Sequence, residues 1–192
     1  MPAAVLAGGA SRRMGRDKGA LPYGATTLAE FQTTRLARLF EEVWLVAKET
    51  PSYAFGPARL LRDDTEDLAA IHGLRRALRE AKDRVFVLAV DLPALSEAVI
   101  GLVARRGNET AAPALVPLAD GRLQPLAAVW RREALPALDR RVSRGELSLR
   151  GLAEAVGGEV LSEEEWRTAD PSGNSFLNVN TLERYAELRE RA

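Results

Sequence analysis

The chain has 192 residues, enough for one domain with a substantial core and too few for two comfortable ones. Its 27 basic and 27 acidic side chains cancel, which gives no support for a general nucleic-acid or membrane-surface binder. With no cysteine and one histidine, disulfides, thiolate metal sites and histidine-rich metal sites are excluded. The sequence shows neither a signal-peptide pattern nor the ~20 apolar residues of a membrane span, so we expect a cytoplasmic protein.

Buried strands alternate with amphipathic helices through the first half of the chain. Apolar runs predict strands at 2–7, 43–47, 58–63 and 84–90. Helical spacing of apolar residues predicts one helix after Thr27 and a second helix over 66–82. Thr27 with Glu30 three residues later predicts a capping box. This alternation indicates right-handed βαβ units and a mostly parallel sheet of the α/β class.

The second half of the sequence carries weaker signals. Residues 113–130 predict two strands around the turn-forming Asp120-Gly121, which we interpret as an antiparallel element appended to the parallel sheet. Helices are predicted at about 131–142 and 148–156, and a last short strand is predicted at 175–180. Thr181 is predicted to cap a terminal helix. We find no internal repeat or linker, so residues 1–192 are interpreted as a single domain.

A segment rich in glycine and positive charge, LAGGASRRMGRDKG (6–19), follows the first strand. A loop there lies at the carboxyl edge of a parallel sheet, where open α/β folds bind ligands. Glycine backbone amides can surround phosphate oxygens, and Arg12, Arg13 and Lys18 add charge-assisted hydrogen bonds. The alternative is a flexible loop with solvated charges. The spacing matches neither a Walker A loop nor the dinucleotide fingerprint. Asp17 is interpreted as a salt-bridge partner that orients its neighbours.

Asp91 directly follows the strongest predicted strand, VFVLAV. An acid at the carboxyl end of a central strand lies in the same crevice as the glycine-rich loop. Nucleoside triphosphates arrive with Mg²⁺, which takes carboxylate and phosphate oxygens and keeps several waters. We therefore expect Mg²⁺ as cofactor, held by Asp91. The alternative is an N-cap for the helix that begins near Ser96, but Pro93 and Ser96 already serve that start.

LAGGASRRMGRDKG resembles the signature L-A-G-G-x-S-x-R-M-G-x-D-K of nucleotidyltransferases, and most closely that of the molybdenum cofactor guanylyltransferases. Similar segments follow in order and cover nearly the whole chain: RDDTEDLAAIHGL, VLAVDLPAL, GRLQPLAAVW and FLNVNTLE. The resemblance implies the nucleotide-diphospho-sugar transferase fold, a Rossmann-like three-layer sandwich with an antiparallel element. It also implies transfer of GMP from GTP to the terminal phosphate of molybdopterin.

The resemblance also implies which residues bind the nucleotide. The nucleotide-binding residues it indicates are Leu6, Ala7, Gly8, Gly9, Ser11, Lys18, Asp63 and Asp91. The catalytic residues are Arg13, Lys18 and Asp91. In this interpretation Arg13 and the loop amides hold the β- and γ-phosphates, which form the leaving group. Lys18 stabilises charge at the α-phosphate, and Asp91 holds the metal.

The sequence departs from the family's pattern in the segments that the resemblance assigns to base recognition. Asp63 is the expected contact for the base or ribose, and Asp64 is the alternative. The family's Gly-Pro-Leu-Ala-Gly appears here as AAIHG, with His72 where the family is small. The asparagine that relatives carry after the second strand is replaced by Val46 or Ala47. Both departures weaken the choice of guanine over cytosine more than they weaken nucleotidyl transfer.

The acceptor is expected to contact the antiparallel element and the last strand. Arg122 and Gln124 lie on the former, where an arginine suits an acceptor phosphate, although an exposed hairpin arginine explains it nearly as well. Asn178 and Asn180 lie on the latter, where the family returns to the active site beside the metal.

Three alternatives to the guanylyltransferase interpretation remain. They are a sugar- or alditol-phosphate nucleotidyltransferase, a molybdopterin cytidylyltransferase, and a non-catalytic nucleotide-binding protein. The last would tolerate loss of Asp91, so retention of Lys18 and Asp91 argues against it. The expected partners are GTP and molybdopterin, with transient contacts to proteins that deliver or receive the cofactor. Neither nucleic acid nor a membrane is expected as a partner.

Overall fold

The computed structural model describes residues 1–7, 17–63, 65 and 67–177. The strands are β1 Ala3–Leu6, β2 Pro22–Tyr23, β3 Thr26–Thr27, β4 Val43–Ala47, β5 Arg59–Arg62, β6 Arg84–Ala89, β7 Ala114–Ala119, β8 Arg122–Leu123, β9 Ala127–Arg131 and β10 Glu159–Leu161. The helices are α1 Leu28–Leu36, α2 Ala70–Glu80, α3 Glu97–Glu109, α4 Leu135–Ser143, α5 Leu149–Ala155 and α6 Glu163–Arg167, with 3₁₀ turns at Lys18–Ala20 and Arg132–Ala134.

In the described part of the chain, eight strands form the central sheet in the order β10-β7-β9-β6-β1-β4-β5, with β8 paired to β7 outside this path. The four strands β6, β1, β4 and β5 are mutually parallel, as predicted. Strand β9 runs antiparallel to both β6 and β7. The α/β fold class with a mostly parallel sheet and an antiparallel element is confirmed.

Helices cover both faces of the sheet and enclose two apolar cores. Alternate residues of β1 supply the two sides: Ala3 and Val5 pack with α1, α3 and α6, and Ala4 and Leu6 pack with α2, α4 and α5. All four β1 side chains are buried, which is why this strand reads as a continuous apolar run.

The antiparallel element differs from the prediction. It has three strands rather than two, and β9 is inserted between β6 and β7 instead of being appended at an edge. The predicted turn is confirmed, because Asp120 and Gly121 have φ values of 50° and 68°, as a tight hairpin turn requires. Strand β8 stops after two residues, and the chain then crosses to β6.

The structure also differs from the predictions for the last strand and for the start of the second helix. Residues 175–177 form a turn instead of a strand, since the Ser175 N–H and hydroxyl both donate to the Asp170 carboxylate. The rest of that predicted strand and Thr181 lie outside the described residues. The helix predicted over 66–82 begins only at Ala70. At α1, the Thr27 hydroxyl accepts from the Glu30 N–H, which is the N-cap half of the predicted capping box.

Candidate active site

The carboxyl ends of β6, β1, β4 and β5 lie at one edge of the sheet because these strands are parallel. The chain continues the sheet pairing there by one residue, since the Ala7 N–H donates to the Val46 carbonyl and the Val90 N–H to the Leu6 carbonyl. Asp63 and Asp91 follow β5 and β6 at this edge. Asp91 thus lies at the carboxyl edge, as expected, whereas the glycine-rich loop predicted to share its crevice is outside the described residues.

Lys18 and Asp91 form an ion pair at the edge. The Lys18 ammonium donates to Oδ2 of Asp91 over 2.7 Å, and the side chains are 18% and 21% exposed. The two residues are 73 positions apart, so the pair depends on the tertiary fold. The partly buried Lys18 provides a cation that can bind phosphate oxygens, and Asp91 provides a hard oxygen ligand for a divalent ion.

The 3₁₀ turn at Lys18–Ala20 fixes the start of the Lys18 side chain. Asp17 caps this turn by accepting from the Gly19 N–H over 2.8 Å, and it also accepts from the Tyr53 hydroxyl over 3.1 Å. A Cβ on Gly19 would stand 2.2 Å from Tyr53 Oη, so glycine permits this close approach. Burial, and then the neighbouring Asp17, raise the pKa of Tyr53, which therefore stays a donor. Asp17 thus orients Lys18 by capping the 3₁₀ turn in which Lys18 lies. Its other predicted partner, Arg16, is outside the described residues.

Two polar side chains of α1 hold the backbone on either side of Asp91. The Gln32 amide donates to the Val90 carbonyl over 3.1 Å. The Arg35 guanidinium donates to the carbonyls of Leu92, Pro93 and Leu95 at 3.0, 3.1 and 2.5 Å. Both side chains are buried, and burial lowers the pKa of Arg35 to about 10. The sequence analysis missed this clamp, although polar residues three apart on a buried helix face were a signal for it.

The helix after Asp91 begins as expected. Ser96 is the N-cap of α3, since its hydroxyl accepts from the Val99 N–H over 3.2 Å. The alternative role of Asp91 as that N-cap is therefore wrong, and its carboxylate remains at the sheet edge.

A second cation–carboxylate pair lies at the ends of β4 and β5. Lys48 donates to Asp63 Oδ2 over 2.6 Å and to the Thr65 carbonyl and hydroxyl over 3.0 and 2.6 Å. The other oxygen of Asp63 accepts from the Thr65 hydroxyl and N–H. The Asp63 side chain is only 7% exposed, so the carboxylate expected to contact the base is already held inside a network. Sequence analysis missed Lys48, which reads there as an ordinary exposed lysine after a strand.

We expect Lys48→Met to lower the free energy of unfolding by about 3 kcal/mol, because it leaves the buried Asp63 carboxylate without its cation. Urea unfolding at pH 7 measures the change. Lys82→Met is the matched control, since Lys82 is an exposed lysine after α2 and its loss should change the free energy by less than about 0.5 kcal/mol. Equal unfolding midpoints for the two variants would show that the network carries no stability.

The segment AAIHG (69–73), in which the sequence departs from the family's pattern, lies at the start of α2. Gly73 packs against β1, and a Cβ there would stand 3.3 Å from Leu6 Cδ1, so this family glycine has a packing role. His72 is buried, its two ring nitrogens have no hydrogen-bond partner among the described residues, and Nε2 lies 3.6 Å from Asp67 Oδ2. His72 is therefore a buried side chain within the start of α2.

A cavity of about 420 Å³ lies beside Asp91, over the end of β6 and the start of β9. The lining residues come from the starts of two helices and the segments that flank these strands: Ala70, Ala89, Asp91, Leu92, Gln124, Pro125, Leu126 and 147–150. Gln124 therefore lies where an acceptor contact was expected, and Arg122 is not among the lining residues. Arg150, on α5, is a lining residue that sequence analysis missed.

Several expected site residues lie outside the described part of the chain. They are Gly8, Gly9, Ser11, Arg12, Arg13, Asp64, Asn178 and Asn180. Leu6 and Ala7 are described, and the Leu6 carbonyl and Ala7 N–H already pair within the sheet. Their expected roles toward the nucleotide stay predictions.

The described residues contain no group of three acidic or histidine side chains placed to hold a metal ion. A single carboxylate nonetheless fits Mg²⁺, which is commonly bound through one or two carboxylates together with substrate phosphates and water. Asp91 offers such a carboxylate, since it is partly exposed and lines the cavity. In the same described ranges, no helix is both long and apolar enough to span a bilayer.

A mostly parallel sheet with a lysine–aspartate pair and a cavity at its carboxyl edge places this chain in the class of α/β proteins whose ligand sites lie at that edge. The comparison with known families is more specific. The model described as "MobA-like NTP transferase domain" matches residues 3–160, so the chain belongs to this family of nucleotidyltransferases.

Relatives of the chain carry a consistent name. It is 34% identical over 194 residues to "Probable molybdenum cofactor guanylyltransferase" of Mycobacterium avium, covering 98% of this chain and 93% of that protein. It is 38% identical over 157 residues to the protein of the same name from Mycobacterium tuberculosis, covering 79% and 78%. The resemblance to the molybdenum cofactor guanylyltransferases is therefore confirmed.

Solved structures support the same family and fold. Molybdopterin-guanine dinucleotide biosynthesis protein A from Archaeoglobus fulgidus superposes with a TM-score of 0.86 at 25% identity, covering 100% of this chain and 98% of that one. The 2-C-methyl-D-erythritol 4-phosphate cytidylyltransferase of Thermus thermophilus has a TM-score of 0.69 at 16% identity, covering 98% and 97%, and shares the fold.

Proposed function

We propose that this chain is a Mg²⁺-dependent enzyme that transfers GMP from GTP to the terminal phosphate of molybdopterin and releases pyrophosphate. The names of its relatives supply the two substrates. The observation that carries the proposal is the Lys18–Asp91 pair, which joins a phosphate-binding cation and a metal-binding carboxylate beside a cavity.

The order of groups along the sheet edge supports a binding mode. Asp63 follows β5 and Asp91 follows β6, and β4 and β1 lie between them. Three strand spacings separate the two carboxylates by roughly 14 Å across the sheet. An extended nucleoside triphosphate bridges a distance of this size, with its base near Asp63 and its α-phosphate near Lys18. The cavity on the far side of Asp91 is then left for the acceptor.

The reaction needs no covalent intermediate with the protein. An oxygen of the acceptor phosphate attacks the α-phosphorus of GTP, a new P–O bond forms, and the bond to the bridging oxygen breaks. Pyrophosphate departs with that bonding pair. A phosphate monoester is already nucleophilic near neutral pH, so the protein contributes alignment and charge neutralisation. Lys18 neutralises charge that develops at the α-phosphate.

Asp91 would hold the metal through its carboxylate. Mg²⁺, when bound with the triphosphate, supplies Lewis-acid neutralisation of the phosphate oxygens. Gln32 and Arg35 fix the backbone on either side of Asp91, so the carboxylate keeps its place when the substrates bind. Transient contacts with proteins that exchange the cofactor, and a cytoplasmic location, stay predictions.

A panel of nucleotides labelled in the α-phosphate tests the proposal. GTP, CTP and ATP are each incubated with molybdopterin, a sugar 1-phosphate or an alditol phosphate in the presence of Mg²⁺. We expect label in a dinucleotide product only with GTP and molybdopterin, with one pyrophosphate released per product. Transfer to the sugar or alditol phosphate alone would contradict the assigned acceptor, and nucleotide binding without any transfer would indicate a non-catalytic protein.

The choice of base makes a separate prediction. A carboxylate at Asp63 matches the N–H donors of guanine and repels the acceptor edge of cytosine. A site built on such hydrogen bonds discriminates strongly, because the wrong base leaves buried groups unpaired. We expect kcat/KM for GTP to exceed that for CTP by about 100-fold or more, and Asp63→Ala to shrink this ratio. Equal use of both nucleotides by the unmodified protein would overturn the guanylyl assignment but leave nucleotidyl transfer in place.

Lys48→Met provides the control for this prediction, because it disturbs the same network and keeps the Asp63 carboxylate. A ratio that falls with Asp63→Ala but not with Lys48→Met supports direct contact between Asp63 and guanine. A ratio that falls equally in both variants would mean that Asp63 acts only by holding the loop after β5.

A further inference from the structure

The cavity beside Asp91 contains one cationic side chain among its described lining residues, and that side chain is Arg150. Its volume of about 420 Å³ is in the range of small-molecule sites. The cavity lies on the β9 side of β6, away from Lys48 and Asp63. A molecule there would therefore meet Asp91 from the side opposite the proposed nucleotide.

Arg150 is an exposed side chain at the start of α5, with one hydrogen bond from its guanidinium to the backbone. Its Nε donates to the Leu123 carbonyl at 3.3 Å. In the part of the chain that the structure describes, its two Nη atoms have no hydrogen-bond partner and no carboxylate within ion-pair distance. The two neighbouring Nη groups of a guanidinium can donate side by side to two oxygens of a phosphate monoester, which carries between one and two negative charges near pH 7.

We infer that the cavity beside Asp91 takes the acceptor substrate and that Arg150 binds its terminal phosphate. The inference rests on the proposed function for the identity of the acceptor. It replaces Arg122, the arginine that the sequence pattern favours, because Arg122 does not line the cavity, although both arginines are exposed. Gln124 lines the same cavity and is available for the neutral part of the acceptor.

The position of Arg150 also bears on the repulsion between Asp91 and the phosphate of the acceptor. Asp91 lines the cavity too, and its carboxylate would repel the acceptor phosphate. Lys18 neutralises Asp91 on one side, and Arg150 offers positive charge for the phosphate on the other. The acceptor phosphate can thus be held near the α-phosphate of the nucleotide without a net repulsion from the protein.

Equilibrium dialysis without GTP or Mg²⁺ tests Arg150 independently of turnover. The ligands are molybdopterin and its dephosphorylated form, and the proteins are the unmodified chain, Arg150→Ala and Arg122→Ala. We expect Arg150→Ala to raise the Kd for molybdopterin roughly 10- to 100-fold, the scale of a lost hydrogen bond to a charged group. Binding of the dephosphorylated form should not change, and Arg122→Ala should bind both ligands as the unmodified protein does.

Four results would overturn the inference. They are a Kd for molybdopterin unchanged in Arg150→Ala, an equal loss for both ligands, a larger loss in Arg122→Ala, and no binding of molybdopterin to the unmodified protein. The proposed function fails separately. If the unmodified protein forms no dinucleotide but Arg150→Ala loses phosphate-dependent binding, the reaction is wrong and the site is right. Steady-state kinetics should show the Arg150→Ala defect in KM for molybdopterin and not in KM for GTP.

Discussion

Replacing Lys18 with alanine is expected to lower kcat by about 100-fold or more, the scale of losing one preorganised charge-stabilising donor. The KM for GTP should change less, because the ammonium acts most strongly on charge that develops at the α-phosphate in the transition state. Initial rates of pyrophosphate release at saturating GTP and molybdopterin give kcat. Near-normal kcat in the variant would remove Lys18 from the catalytic machinery.

Two measurements keep a loss of fold from imitating this result. Lys18→Ala leaves Asp91 without its partner at 2.7 Å, but that carboxylate is partly exposed and can be hydrated. The thermal midpoint should therefore move by only a few degrees. Lys82→Ala removes an exposed lysine after α2, on the side of the sheet opposite the carboxyl edge, and should leave kcat unchanged.

The parallel part of the fold could be predicted from sequence because its signals are local. The strands β1, β4 and β6 are buried on both faces, so each is a continuous apolar run that needs no knowledge of its neighbours. The place of β9 could not be predicted in this way. Which strands pair depends on contacts between distant segments, and a short hairpin signal does not reveal that the returning strand inserts beside β6.

The same distinction applies to the site. Lys18 and Asp91 were found because each follows a strand, and the strand ends of a parallel sheet meet at one edge. Arg35 and Lys48 escaped notice because their roles depend on what they contact. Arg35 clamps the carbonyls after Asp91, and Lys48 holds Asp63, which follows the neighbouring strand. In sequence they are ordinary cations of an amphipathic helix and a strand end.

Arg122 illustrates how a plausible residue type can point to the wrong position. It lies in the segment that resembles the family's acceptor region, but on β8 it does not line the cavity. Arg150 enters the cavity from α5, 28 positions farther along a stretch without any motif. Only the tertiary fold brings the start of α5 to the cavity beside the end of β6 and the start of β9.

Asp91→Asn is expected to abolish Mg²⁺-dependent transfer, with kcat reduced by about 100-fold or more at every Mg²⁺ concentration. Asparagine has the shape of aspartate, and its amide oxygen can still accept from Lys18. The backbone around position 91 stays held by Gln32 and Arg35, so the fold should be kept. The substitution therefore removes one negative charge from the site and little else.

Titration of Mg²⁺ against the rate of pyrophosphate release measures the effect of Asp91→Asn. Asp83→Asn is the matched control, because Asp83 precedes β6 as Asp91 follows it, and so lies at the opposite edge of the same sheet. The control should keep the Mg²⁺ response of the unmodified protein. If Asp91→Asn also keeps both the midpoint and the maximum of that titration, another carboxylate holds the metal. The ion pair with Lys18 would then serve only to position the lysine, and the metal would have to be sought elsewhere along the sheet edge.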